Sequence, residues 1–229
     1  KPFDSGTFIK LYDYKMGPGD RSVDFGLHNA LCRTMYMCCL PMWLKDSRVE
    51  KGHTWERAFA GADVRLENEE QEYIIDNTKY SLELNIAEIG SIPCVAIPFT
   101  RKVEWMGKYS TIYIMNGQVH GYESQDFLER ANLSWLKKRL LVVVDCTDIN
   151  RSISSLIFKP DRERMWDLPE ANALRKELCQ ALGRHPGLRE LNRKIHEEAA
   201  MNVAKDETDV QENFSQLAQS DPIWPPFLT

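Results

Sequence analysis

Tyr109-Ser-Thr-Ile-Tyr-Ile-Met-Asn-Gly-Gln-Val-His-Gly121 and the later run Leu140-Leu-Val-Val-Val-Asp-Cys146 decide the fold class. In the first, β-branched and aromatic residues lead into Asn116-Gly117, the pair a tight primed turn demands because both central positions take positive φ. A hairpin is therefore expected, with Thr111 to Met115 as one arm and Gln118 to Gly121 as the other. The second run lacks polar alternation, the pattern of a strand buried on both faces. Tyr80 to Ile86 and Cys94 to Phe99 carry the same β-branched and aromatic enrichment. An antiparallel meander is the simplest assembly of these strands.

Outward from this core the signals are mixed. Gly6 to Tyr14 reads as a strand closed by Gly17-Pro18-Gly19-Asp20. Leu27, Leu31, Met35 and Cys38 or Cys39 recur at helical spacing and predict a helix packed on the sheet and stopped by Pro41. Between 42 and 80, Arg48 to Glu56 reads as loop, Ala62 to Leu66 as a short strand, and Glu67 to Glu72 as a solvated acidic connector. Leu133, Leu136 and Leu140 predict a helix with Lys137, Lys138 and Arg139 on its exposed face.

Past Asp167 the texture turns helical. Asp167 can cap a helix with Pro169 in its first turn, Leu174, Leu178 and Leu182 form its stripe, and Gly183 can end it. A second helix follows Pro186 with Leu188, Leu191, Ile195 and Ala199 on one side. Val210, Phe214 and Leu217 allow a third, whereas the prolines of 221–229 exclude a continuous helix there. The expectation is an α/β unit over 1–165 and a helical appendage over 166–229.

Composition bounds the function. The chain has 229 residues, 43% hydrophobic and 28% charged, enough to fill a packed core and unlike a disordered or collagen-like chain. A net charge of -5 leaves no whole-chain basic field for nucleic acid, so such contact requires a local patch. Apolar runs fall far short of the roughly 20 residues that span a bilayer, so no membrane partner is expected. Six cysteines without repeated CxxC spacing read as reduced core thiols of a cytoplasmic protein. The start at Lys1, running at once into an extended apolar segment, reads as a cut inside a larger protein.

Self-contained catalytic motifs are scarce. Gly17-Pro-Gly19 and Gly107-Lys-Tyr109 lack the spacing of phosphate-cradling loops, and Asp24-Phe-Gly26 stands without the other kinase elements. His28, His53, His120, His185 and His196 form no HExxH pair, so no metal site is expected. Lys159-Pro-Asp-Arg-Glu-Arg164 stands apart. Arginines fixed beyond a buried strand can hold a phosphate bidentately, which makes the cluster a candidate anion sensor. The same residues also read as a surface salt-bridge network.

Four blocks in order, Gly6 to Tyr14, Met115-Asn-Gly-Gln-Val-His-Gly121, Leu141-Val-Val-Val-Asp-Cys146 and Ile157-Phe-Lys-Pro-Asp-Arg-Glu-Arg-Met165, resemble the second half of bacterial GHKL-type ATPases. That superfamily groups gyrase, heat-shock-chaperone, histidine-kinase and MutL nucleotide domains, and this branch is similar to MORC and MutL proteins. The similarity continues through Leu182 to Leu188 and Ser220-Asp-Pro222.

The resemblance implies that 1–165 is a transducer, or middle, domain. Its α+β fold would be ribosomal protein S5 domain 2-like, a mixed or antiparallel sheet with helices on one face. It further implies that Arg162 reaches the γ-phosphate of ATP, with Arg164 and Lys159 as supporting cations. Asp161 stands where the pattern has serine. ATP and Mg2+ would be held mainly by an N-terminal GHKL nucleotide domain, whose asparagine-bearing helix and glycine-rich loops are missing from these residues. The partners implied are that domain, a second copy in a homodimer, and a nucleic-acid or protein client. The alternative class is a non-catalytic binding module that uses Lys137 to Arg139 or the face from Arg184 to Lys194.

Overall fold

The computed structural model describes residues 27–50, 53–102, 106–162 and 164–201. The expected strand at Gly6 to Tyr14, its turn, the helix around Val210 to Leu217 and the proline-rich end lie outside these residues. The described chain is α+β. Helix α1 (His28–Thr34) leads to the hairpin β1 (Met42–Glu50) and β2 (His53–Phe59), then α2 (Ala62–Asn68). Strands β3 (Tyr80–Ile86), β4 (Gly90–Pro98), β5 (Tyr109–Met115) and β6 (Gln118–Ser124) follow. Next come the short helix α3 (Phe127–Arg130), β7 (Leu140–Asp145), α4 (Arg151–Ile157), α5 (Pro169–Arg184) and a helix over 186–201, here α6.

The main sheet has the order β3-β4-β7-β5-β6. It is mixed: β7 runs antiparallel to β4 and parallel to β5. The meander expectation fails because the most apolar strand takes the centre, where both its faces are covered. Val142 and Val144 point into one hydrophobic cluster with Leu84, Cys94 and Tyr113, while Leu141 and Val143 point into a second with Ile97, Ile112 and Ile114. This period-two division explains why Leu140 to Val144 include no polar residue.

The first cluster contains Leu128 of α3, Ile157 of α4, Leu174, Leu178 and Leu182 of α5, and Leu188 and Ile195 of α6. The helices beyond 166 therefore share the core of the sheet, which differs from an appendage. The second cluster joins Cys32 of α1, Phe59 of β2, and Ala62 and Leu66 of α2. Helices thus cover both faces, where one face was expected.

Several local expectations are corrected. Helix α1 stops at Thr34 because Met35 turns extended and bridges Gln118 of β6, well before Pro41. Arg48 to Glu56 belongs mostly to the β1–β2 hairpin, whose Met42 and Leu44 pack inward while Trp43 is exposed. Charged cross-strand partners such as Lys45 and Glu56 disguised it as loop. Ala62 to Leu66 is helical: Ala62 and Leu66 are buried one turn apart and Val64 faces out.

In the acidic connector, Glu70 is buried and accepts from Arg65 Nε at 3.1 Å. Leu133, Leu136 and Leu140 are buried as the pattern requires, but around a 3-10 turn, Ser134–Leu136, and the start of β7. Asp167 does not cap α5. Leu168 holds that position, and Asp167 accepts from the Asn172 amide. Gly183 does not end the helix either. It lies inside α5, where a Cβ would come within 2.8 Å of the Ala131 carbonyl oxygen, so its absence lets α5 approach closely. The Asn116-Gly117 turn forms as expected, with φ of 49° and 78°.

Candidate functional site

The charged segment is a tight loop closed like a hairpin. Phe158 and Met165 form an isolated antiparallel bridge, Lys159 N–H donates to the Arg164 carbonyl at 3.1 Å, and Trp166 N–H donates to the Ile157 carbonyl at 2.8 Å. Gly121 of β6 lies under this stem, 3.2 Å from Met165 and 3.6 Å from Phe158 when a Cβ is built on it. A side chain there would require Met165 to give by a few tenths of an ångström. Within the loop Arg162 N–H donates to the Lys159 carbonyl at 3.1 Å, and Arg162 adopts φ +57°. That left-handed conformation is uncommon for a residue with a side chain.

The loop carries Arg162 to a cleft of about 680 Å³ between α1 and the β5–β6 edge of the sheet. Arg33, Thr34, Gln118, Tyr122, Asp161 and Arg162 supply its polar lining. The Arg162 guanidinium donates through Nη1 to Gln118 Oε1, a neutral acceptor, and forms no ion pair among the described residues. Its positive charge reaches His120, whose pKa is held below the ordinary value by burial and then by Arg162.

Arg33 sits in the last turn of α1 and lines the same cleft. Its position is fixed through the backbone: Tyr122 O–H donates to the Arg33 carbonyl at 2.5 Å, and Met37 N–H donates to the Gly117 carbonyl at 3.0 Å. From behind, Arg65 of α2 donates to Asn29 Oδ1 at 3.0 Å and to Cys32 Sγ at 3.4 Å. Strand β6 is thus a common frame, with Gln118 holding one guanidinium and Tyr122 the backbone beneath the other. Tyr109 and Tyr122 stack at 4.6 Å and give the cleft an aromatic wall.

The loop residues do not converge as a triad. Arg162 and Asp161 line the cleft, whereas Lys159 places its Nζ 4.9 Å from the centre of the Trp166 ring and Arg164 is exposed. Arg33 and Gln118 complete the polar lining around Arg162 and were not singled out in sequence. Gln118 carried a signal, since it directly follows the Asn116-Gly117 turn. Arg33 carried none, being one polar residue on a helix distant in sequence. The other basic faces are neutralised in part: Lys137 pairs with Glu129 at 2.6 Å, and Arg193 pairs with Glu190 at 2.7 Å and with Glu197. Lys138 and Arg139 line a smaller cleft of about 420 Å³ with Trp135 and Glu198.

Two guanidinium groups and a neutral amide suit an anion with several oxygens, above all a phosphate. No family model and no curated protein matches this chain. The donors present fit the terminal phosphate of a nucleotide. Asp161 is the one carboxylate among the lining residues, and no cluster of three or more His, Cys, Asp or Glu that could hold a metal occurs among the described residues. No described helix is long and apolar enough to cross a membrane.

Proposed function

We propose that this chain is the transducer part of a GHKL-type ATPase, in which Arg162 senses the γ-phosphate of ATP held by an N-terminal nucleotide domain. The carrying observation is Arg162 itself: an arginine with positive φ in a tight loop, held on a cleft by a neutral amide and without a carboxylate partner among the described residues. Such a cation is preorganised for charge that arrives from outside, the requirement for stabilising a phosphoryl transfer.

The strand and helix order supports a ribosomal protein S5 domain 2-like fold. Strands β4, β5 and β6 are followed by a helix, the strand β7 inserted between β4 and β5, and a further helix. Coupling runs through the loop stem. Arg175 of α5 donates to Glu123 of β6 at 2.7 Å and to the Trp166 carbonyl at 3.1 Å, so displacement of the Arg162 loop is felt by α5 and the sheet together. In this reading ATP supplies the transferred phosphoryl group and Mg2+ its charge neutralisation, both held mainly by the nucleotide domain. This chain supplies one cation and a lever, and a homodimer receives the movement.

Arg162→Ala in the protein carrying its nucleotide domain tests the reading. Turnover is expected to fall about 100-fold, the scale of losing one preorganised transition-state donor, with ATP affinity nearly unchanged. Arg162→Lys is expected to restore only part of it, because a point charge lacks the planar fork. Unchanged turnover in Arg162→Ala would return the cluster to a solvated charged loop.

A further inference from the structure

The proposed sensing role uses one arginine, yet the cleft presents two. Arg57, Arg65, Arg175 and Arg193 each meet a carboxylate; Arg33 and Arg162, like several exposed arginines elsewhere, form no ion pair among the described residues, but these two share one cleft. Two like charges lining one cleft repel, and with Asp161 as the single carboxylate in that lining the cations outnumber the anions until a further anion enters. The frame nevertheless holds them in place: Gln118 binds the Arg162 guanidinium, and Tyr122 and the Met35–Gln118 bridge fix the end of α1 that carries Arg33.

We infer that Arg33 and Arg162 form a two-arginine clamp for the terminal phosphate of a nucleoside triphosphate or other polyphosphate. This rests on the γ-phosphate reading of Arg162 and adds to it a second cation from a different element. The volume of about 680 Å³ falls in the range of small-molecule sites. A planar fork on each side offers paired donors to the three oxygens of a terminal phosphate. The clamp makes α1 part of the response: drawing Arg33 toward the phosphate pulls α1, and through Arg65 also α2, onto the β5–β6 edge.

The test is a titration of the 229-residue chain with inorganic tripolyphosphate at fixed ionic strength, followed by amide chemical shifts. The variants are Arg33→Gln and Arg162→Gln, with their melting curves recorded alongside. Saturable shifts are expected at 33–35, 118–122 and 161–162, and each variant is expected to weaken binding about tenfold while melting like the parent. Adenosine triphosphate is expected to bind as tripolyphosphate does, since the clamp touches only phosphate.

If Arg162→Gln weakens binding and Arg33→Gln does not, the clamp is overturned and the Arg162 reading stands. If neither variant matters, both fall. Absence of saturable shifts at millimolar tripolyphosphate overturns the preformed clamp but leaves Arg162 to be judged by turnover beside the nucleotide domain. A single-stranded oligonucleotide that binds the cleft more tightly than tripolyphosphate, with the same losses in both variants, overturns the ligand class. Should either glutamine variant melt lower, Arg33→Lys and Arg162→Lys replace it, and tripolyphosphate affinity equal to the parent in both overturns the fork geometry.

Discussion

Replacing Leu178 with alanine asks whether the helices beyond 166 belong to the sheet's core. Leu178 is fully buried in the cluster that contains Val142 and Val144 of β7. Truncation of a buried leucine to alanine costs about 2–5 kcal/mol, the spread reflecting how far the surroundings collapse into the space. Collapse is restricted here on both sides of Leu178. About one turn before it Arg175 is bound to Glu123 at 2.7 Å, and near the end of α5 Gly183 already lies against the Ala131 carbonyl.

The expected cost is therefore in the upper half of that range, about 3–5 kcal/mol. This is a large part of the ~5–15 kcal/mol that holds a typical domain together. Urea denaturation combined with amide hydrogen exchange at Val142 to Val144 provides the assay. A shared core requires that the β7 amides lose protection by the same free energy as α5. Intact β7 protection beside rapid exchange in α5 would refute the argument and restore an independent appendage.

Other outcomes follow from single features. Gly117→Ala is expected to lower stability by at least ~1–2 kcal/mol, because φ is +78° and a Cβ would come within 2.6 Å of the Met37 carbonyl oxygen; an unchanged urea midpoint would contradict this. His28 is held below its ordinary value of 6.5 by burial, then by Arg57 and Arg65. The folded state thus binds fewer protons than the unfolded one, so stability is complete above pH 6.5 and falls as pH drops from there toward the folded-state value. His120 and His185, lowered chiefly by burial, act in the same direction, and urea midpoints at pH 7.5 and 5.5 check the sign. Iodoacetamide under native conditions is expected to label exposed Cys39 and to spare buried Cys32, Cys94 and Cys146, since burial pushes the Cys94 thiol up to about 12 and raises the other two. Mass spectrometry of peptides reads the order.

What was legible in the sequence has a physical pattern. The Asn116-Gly117 hairpin and the burial of Leu140 to Val144 were readable because local backbone demands and period-two burial act within a few residues. The insertion of β7 between β4 and β5 was not, since pairing order depends on contacts between distant segments. Ala62 to Leu66 and the Met42–Phe59 hairpin failed for a related reason: in short segments one exposed Val64, or a charged Lys45–Glu56 pair, decides between patterns that fit equally well. At the site, the charged composition of 159–164 drew attention to Arg162, but its partner Gln118 and its neighbour Arg33 come together only because β6 aligns α1 with the loop.

The central claim is that Arg162 responds to a terminal phosphate. Its side-chain Nε–H resonance, recorded in the protein carrying the nucleotide domain, reports this most directly. The account predicts a large shift with a non-hydrolysable triphosphate analogue and a small one with the diphosphate. Equal shifts with the two nucleotides, or no shift with either, would contradict it.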